Sequence, residues 1–152
     1  GTAGPISIVK NLNENFLVLN GDVLTTIDFK SFFDFHKKKK TVSTIATFNK
    51  KVKIDLGVLE TSGDVFNNYI EKPTYNFTVS TGIYVFNKSI IQYLDKGAPM
   101  DIPDLILSLK KNKKEISCYK GKYEWLDIGR FDDYEMATKI FKEQKSKYLK
   151  GE

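Results

Sequence analysis

Phe16-Leu17-Val18-Leu19-Asn20-Gly21-Asp22 is the stretch on which the reading of this chain turns. A short apolar run stops abruptly at Asn, Gly and Asp. Runs of about four to eight apolar residues bounded by a turn signal fit a strand buried on both faces, as in parallel sheets. Asn-Gly is also the strongest short-range hairpin signal, but no alternating partner strand follows: Thr26 to Lys40 has a helical period. The unit reads as strand, sharp turn, helix. In open α/β sheets, ligands bind at the carboxyl ends of strands. Asp22 stands at such an end, and Gly21 lets a backbone approach closely. The stretch predicts a carboxylate aimed at a metal and a phosphate.

Upstream, Gly1 to Gly4 reads as a loop, and Pro5 opens an apolar-periodic segment (Ile6, Ile8, Val9, Leu12) with proline at a helix's first turn. Downstream, Asp28 is the expected N-cap of a helix carrying Phe29, Phe32, Phe33 and His36 on one face. The single histidine has no second His near it, so it reads as a core-edge residue rather than a ligand. Val42 to Phe48 is β-branched and predicts a strand, followed by a polar connector from Asn49 to Lys53. Val58 to Thr61 and Val65 to Ile70 flank Ser62-Gly63-Asp64 and predict a hairpin, ended by Glu71-Lys72-Pro73. Val79 to Phe86 reads as a strand in which Gly82 marks a bulge or a close approach. Short helices follow at Lys88 to Leu94 and Asp101 to Lys110, then strands at Glu115 to Tyr119 and Tyr123 to Leu126. A long amphipathic helix runs from Phe131 to Leu149. Strands alternating with helices, with one hairpin inserted, predict an α/β fold with a mixed sheet.

Composition narrows the class. The chain has 152 residues, 41% hydrophobic and 28% charged, which suits a single core. Its net charge of +5 comes from 24 basic and 19 acidic residues spread along the chain. The densest run, Lys37 to Lys40, falls where a helix ends, and cations there complement the helix dipole. No basic patch with interleaved aromatics occurs, so nucleic acid is not the expected partner. Cys118, the only cysteine, lies in a strand-like setting and reads as a buried, inert thiol. No apolar run nears the ~20 residues of a membrane span, and one cysteine is compatible with the cytoplasm.

Two constellations carry chemistry. Asp22 and Asp127 each neighbour a glycine and each end a strand-like run. Two hard carboxylates suit Mg²⁺, which takes its other ligands from water and substrate phosphates. Asp127 as a helix cap is the structural alternative, and spacing alone leaves the two level. Glu71-Lys72-Pro73 sets a carboxylate beside an ammonium, a hydroxyl acceptor beside a phosphate-binding point charge. Spacing alone favours the alternative there, a solvated charged turn. Gly57 and Ser80-Thr81-Gly82 are small residues that a sugar ring could approach.

Taken in order, Gly1-Thr2-Ala3-Gly4, Phe16 to Asp22, Gly57-Val58-Leu59-Glu60, Glu71-Lys72-Pro73, Ser80 to Phe86 and Trp125-Leu126-Asp127-Ile128-Gly129-Arg130 span nearly the whole chain. Together they resemble the sugar-1-phosphate nucleotidyltransferases, the family of mannose-1-phosphate guanylyltransferase and glucose-1-phosphate thymidylyltransferase. The resemblance implies a Rossmann-like nucleotide-diphospho-sugar transferase fold. It implies that Asp22, Lys72 and Asp127 are catalytic, with Asp22 and Asp127 holding Mg²⁺. Gly57, Glu71, Lys72, Ser80 and Thr81 would bind the sugar phosphate. Gly1, Thr2, Ala3 and Gly4 would lie near the base, Gly21 against the ribose, and Asp22 beside the nucleotide phosphates. The substrates would be an NTP, GTP favoured, and a hexose or heptose 1-phosphate; the products a nucleotide-diphospho-sugar and pyrophosphate. A regulatory or nucleotide-sugar-sensing module of the same fold is the competing class.

Two departures from the family pattern shape the expectation. The family's opening strand and its glycine-rich signature loop, which cradles the triphosphate, are not in this sequence. Residues 1–152 are then a single incomplete domain, expected to be inactive alone or to self-associate, as a homo-oligomer or through an exposed sheet edge. Many members also carry Asn where Ser80 stands, which points to a divergent sugar branch.

Overall fold

The computed structural model describes residues 1–129 and 131–149. Arg130, the last residue of the Trp125 motif, lies outside them. The chain divides into two compact units, one comprising Gly1–Thr47 with Ser80–Glu152 and the other Phe48–Val79.

The larger unit is built on a four-stranded mixed sheet in the order β1-β6-β3-β7. Here β1 is Asn15–Leu19, β3 is Ser43–Lys53, β6 is Thr74–Asn87 and β7 is Ile116–Tyr119. β1 runs antiparallel to β6, from Asn15↔Asn87 to Leu19↔Ile83, and β3 runs parallel to β7. Alternation along β6 sends Ile83 and Val85 to one face and Tyr84 and Phe86 to the other. The first pair joins Ile27, Ala46 and Phe32 of helix α1 (Phe29–Lys39). The second joins Ile90, Leu94 and helix α2 (Ile102–Lys111) through Ile102, Leu105 and Leu109. The sheet is thus covered by helices on both faces.

The strand buried on both faces is β6, not β1. Residues 81–86 of β6 are all buried, whereas β1 is an antiparallel edge strand that buries Phe16 and Val18 on one side only. Its other side leaves Leu17 and Leu19 36% and 47% exposed. The reason lies in α1, which covers the far half of that face: the Phe32 and Phe35 rings both stand 5.2 Å from Tyr119 of β7. Asn20-Gly21 is not a hairpin turn, as expected, but a further short strand follows it. β2 (Val23–Thr25) pairs antiparallel with β8 (Trp125–Asp127) as a separate two-stranded sheet.

Other boundaries moved. The Pro5 segment makes only a 3-10 helix, Gly4–Ile8, and Lys88–Tyr93 is likewise 3-10. The polar connector at 49–53 is strand: β3 continues to Lys53. The long final helix breaks at Gln144 into α3 (Phe131–Glu143) and α4 (Lys145–Tyr148). Cys118 lies in a strand as expected, but on the exposed side of edge strand β7. In the smaller unit, β4 (Val58–Ser62) and β5 (Val65–Ile70) form the predicted hairpin, with a bulge at Glu60/Thr61 and Gly63 at φ +62°.

Helix α1 starts where its cap predicts. Asp28 Oδ1 accepts from Lys30 N and Ser31 N at 3.0 and 3.2 Å. Its His36 is buried at the core edge, its ring bonded to Thr44 Oγ1 at 2.8 Å and Asn15 Oδ1 at 3.0 Å. Burial pushes the imidazole below its ordinary value. The unfolded chain therefore takes up the proton first, and the stability carried by neutral His36 is lost as pH falls below about 6.5. Melting wild type and His36→Gln between about pH 8 and about pH 5 should show a steeper acid decline for wild type. Parallel profiles count against this account.

Candidate functional site

The β2–β8 ladder brings the two aspartates together. Val23 pairs with Asp127, and Ile128 N donates to Asp22 O at 2.9 Å. Both carboxylates are exposed and flank the Gly129 backbone. A Cβ built on Gly129 would stand 3.3 Å from Asp127 Oδ1 and 3.6 Å from Asp22 Oδ2. Those two oxygens are separated by no more than the sum of these distances. Asp127 Oδ1 also accepts from Gly129 N at 3.3 Å. The donor set is all oxygen, hard and anionic, which fits Mg²⁺. Among the described residues no group of three or more His, Cys, Asp or Glu could enclose a metal.

Beside Asp22 lies a cleft of about 530 Å³ lined by Thr2, Val18, Leu19, Asn20, Gly21, Asp22 and Ile102. Of the residues that the sequence predicted for the nucleotide, Thr2, Gly21 and Asp22 share this cleft. A Cβ on Gly21 would meet nothing within 4 Å, so the space above it is open. Gly1, Ala3 and Gly4, also predicted for the nucleotide, are not among the cleft's lining residues and pack against the 98–101 segment instead. Ala3 N and Gly4 N donate to Met100 O at 2.8 and 3.0 Å. A side chain on Gly1 or Gly4 would run into the carbonyls of Met100 or Ala98. Thr2 does more. Its N–H donates to Asp101 Oδ1 at 2.8 Å, and its Oγ1 accepts from Ile102 N at 3.1 Å. Thr2 thereby caps α2 from the other end of the chain, the task that sequence position alone suggests for Asp101.

Asn20 and Gly82 are partners that the sequence reading did not single out as a pair. Asn20 N donates to Gly82 O at 2.9 Å. Gly82 has φ +75°, and a Cβ there would stand 2.7 Å from Asn20 Nδ2. Of the bulge or close backbone approach expected at Gly82, the structure shows a close approach, made by the Asn20 side chain. Ser80 is exposed, its hydroxyl 3.0 Å from Tyr84 Oη. Thr81 is buried, its hydroxyl donating to Ala46 O at 2.9 Å while its carbonyl accepts from Trp125 Nε1 at 2.9 Å. Tyr123, beside them, is pushed up to about 12, chiefly by burial.

Gly57, Glu71 and Lys72 belong to the smaller unit. There Tyr69 Oη donates to Glu71 Oε2 at 2.9 Å, and a Cβ on Gly57 would collide with that same phenol. Gly57 therefore makes room for the ring that orients Glu71. Tyr69 is a residue that sequence reasoning missed, visible only as the aromatic two positions before Glu71. Lys72 Nζ stands 4.0 Å from Glu71 Oε1, and its backbone has φ +44°. A lysine in the left-handed region is a strained choice of the kind found at ligand sites and tight turns.

Comparison with known proteins agrees with this architecture. The chain is 29% identical over 141 residues to the mannose-1-phosphate guanylyltransferase catalytic subunit beta of Drosophila pseudoobscura pseudoobscura, covering 88% of this chain and 38% of that protein. It is 30% identical over 154 residues to the UTP–glucose-1-phosphate uridylyltransferase of a Synechocystis strain, covering 91% and 39%. The chain thus spans about two fifths of the length of these relatives. In fold it is similar to crystalline HddC from Yersinia pseudotuberculosis, with TM-score 0.60 and 24% identity over 93% of this chain and 62% of that one. Residues 1–144 match the family model described as nucleotidyl transferase, and the chain belongs to that family.

Proposed function

We propose that this chain serves a sugar-1-phosphate nucleotidyltransferase that joins an NTP, with GTP favoured, to a hexose 1-phosphate and releases pyrophosphate. The observation that carries the reading is that Asp22 lines the Thr2–Gly21 cleft and that the β2–β8 ladder brings Asp127 beside it, on either side of Gly129. The guanylyl relative supports the base and the hexose, and the uridylyl relative supports the reaction class.

In this reading Asp22 and Asp127 would hold Mg²⁺, which would supply charge neutralisation for the phosphates. The sugar phosphate oxygen attacks the α-phosphorus in line, and pyrophosphate leaves from the opposite side. Such chemistry asks chiefly for positioning and electrostatics. Gly21 offers an open floor to the ribose, and the Gly1–Gly4 segment, held on α2, walls the base. Lys72 binds the sugar phosphate and Glu71 accepts from sugar hydroxyls. Ser80 presents its hydroxyl, and Thr81 shapes the wall through its backbone. Comparing pyrophosphate release for GTP, dTTP, UTP and CTP with mannose 1-phosphate and glucose 1-phosphate tests the reading. Turnover fastest with GTP supports it. Preference for another base refutes the GTP assignment, and no turnover with any pair, by a protein that carries this chain together with a triphosphate-binding loop, refutes the transferase.

The Gly57–Tyr69–Glu71 arrangement makes its own prediction. Gly57→Ala displaces the Tyr69 ring and frees Glu71. KM for the sugar phosphate should rise roughly five- to tenfold, about 1–1.4 kcal/mol, with kcat little changed. An unchanged KM removes Glu71 from the sugar site.

A further inference from the structure

We propose that Glu124 is a positioning residue: gripped by Lys147 and Tyr148 of α4, it holds β8 on β2 and so sets the separation of Asp22 and Asp127. The inference rests on the reading of those aspartates as a metal pair.

β2 and β8 are three residues each. Isolated two-strand ladders are marginal even when longer, and slippage by one residue would turn Asp127 to the opposite face. The ladder is anchored at both ends. At the aspartate end the bond is Ile128 N to Asp22 O, at 2.9 Å. At the other end the anchor is Glu124. Its carbonyl accepts from Thr26 N at 3.1 Å and Thr25 Oγ1 at 2.8 Å, and its N–H donates to Thr26 Oγ1 at 2.8 Å.

The Glu124 side chain reaches the other way. Oε1 pairs with Lys147 Nζ, and Oε2 accepts from Tyr148 Oη at 2.9 Å. Lys147 is itself steadied by Gln144 Oε1 at 3.2 Å, and the Tyr148 ring lies 6.0 Å from that of Phe141 in α3. Both carboxylate oxygens are therefore held by one short helix. An exposed pair of this kind adds little stability. What it fixes is orientation, three residues before Asp127, where an error of about 1 Å is costly to a reaction that depends on placement.

The test uses Lys147→Met/Tyr148→Phe, which opens the clasp without touching β8, with Lys147→Arg as the conservative variant and Asp127→Asn as the metal control. Hydrogen exchange at the Ile128 amide reads the ladder, and Mn²⁺ affinity by electron paramagnetic resonance reads the carboxylates. The expected result is faster Ile128 exchange and roughly tenfold weaker Mn²⁺ binding in the double variant, the size seen when groups supporting metal ligands are lost. Lys147→Arg should stay close to wild type, and the melting temperature should barely move. Unchanged Ile128 protection overturns the proposal. So does Mn²⁺ affinity equal to wild type in the double variant while Asp127→Asn loses it; the metal pair then stands without the clasp. Wild-type Mn²⁺ binding that Asp127→Asn does not reduce removes the metal pair itself, and the positioning role with it.

Discussion

Asp127→Asn should reduce nucleotidyl transfer by roughly 10²–10³-fold or more in kcat, in the range found when one preorganised charge-stabilising group is lost. The substitution is nearly isosteric. An asparagine oxygen can still accept from Gly129 N, the bond that Asp127 Oδ1 makes at 3.3 Å, so the ladder should survive. What disappears is the charge of one of the two carboxylates proposed to hold the metal. Asp22→Asn should behave alike. The double variant should be little worse than either single one, because groups that act as a unit are not additive. Sugar-phosphate binding, assigned to Glu71 and Lys72, should persist in part. The measurement is initial rate against Mg²⁺ concentration for wild type and the three variants. Near-normal turnover by Asp127→Asn sinks the metal assignment. A wild-type protein that carries the triphosphate-binding loop and binds nucleotide sugar but never turns over belongs instead to the sensing class.

Phe86→Ala should cost about 3–5 kcal/mol, the usual loss for a buried phenylalanine whose neighbours cannot close the cavity. Phe86 is fully buried in the central strand. Its ring stacks on Tyr84 at 5.7 Å and leans on Phe16 of β1 at 6.1 Å. Strands on one side and α2 on the other leave little freedom to collapse. Against a total stability of about 5–15 kcal/mol, this is a large fraction. Urea titration should show a lowered midpoint with an unchanged slope. Phe66→Ala provides the contrast: that ring is 60% exposed on the β4–β5 hairpin, and its loss should stay within about 0.5 kcal/mol. Similar costs at the two positions would contradict the assignment of the core to β6.

The sequence by itself determined whatever depends on near neighbours. Asp28 caps α1 because its carboxylate reaches amides two and three residues on, and that geometry is written in a few consecutive positions. The β4–β5 hairpin around Gly63 is local in the same sense. The α/β class with a mixed sheet follows from the alternation of such segments, and the ordered motifs carried the family. Tertiary structure decided everything that needs a remote partner. The apolar run at Phe16–Leu19 does not say whether a helix will cover its second face; α1 covers β7 instead, and β1 became an edge. The alternation around Cys118 does not say which face is outward. The polarity of 49–53 hides a strand, because a ladder needs backbone partners and not apolar side chains. Nothing near Thr2 announces that it will cap α2, and nothing near Asp22 or Asp127 announces that a three-residue ladder will bring them together. Pairing energies are summed over segments far apart in the chain, so they exist only once the fold has brought those segments together.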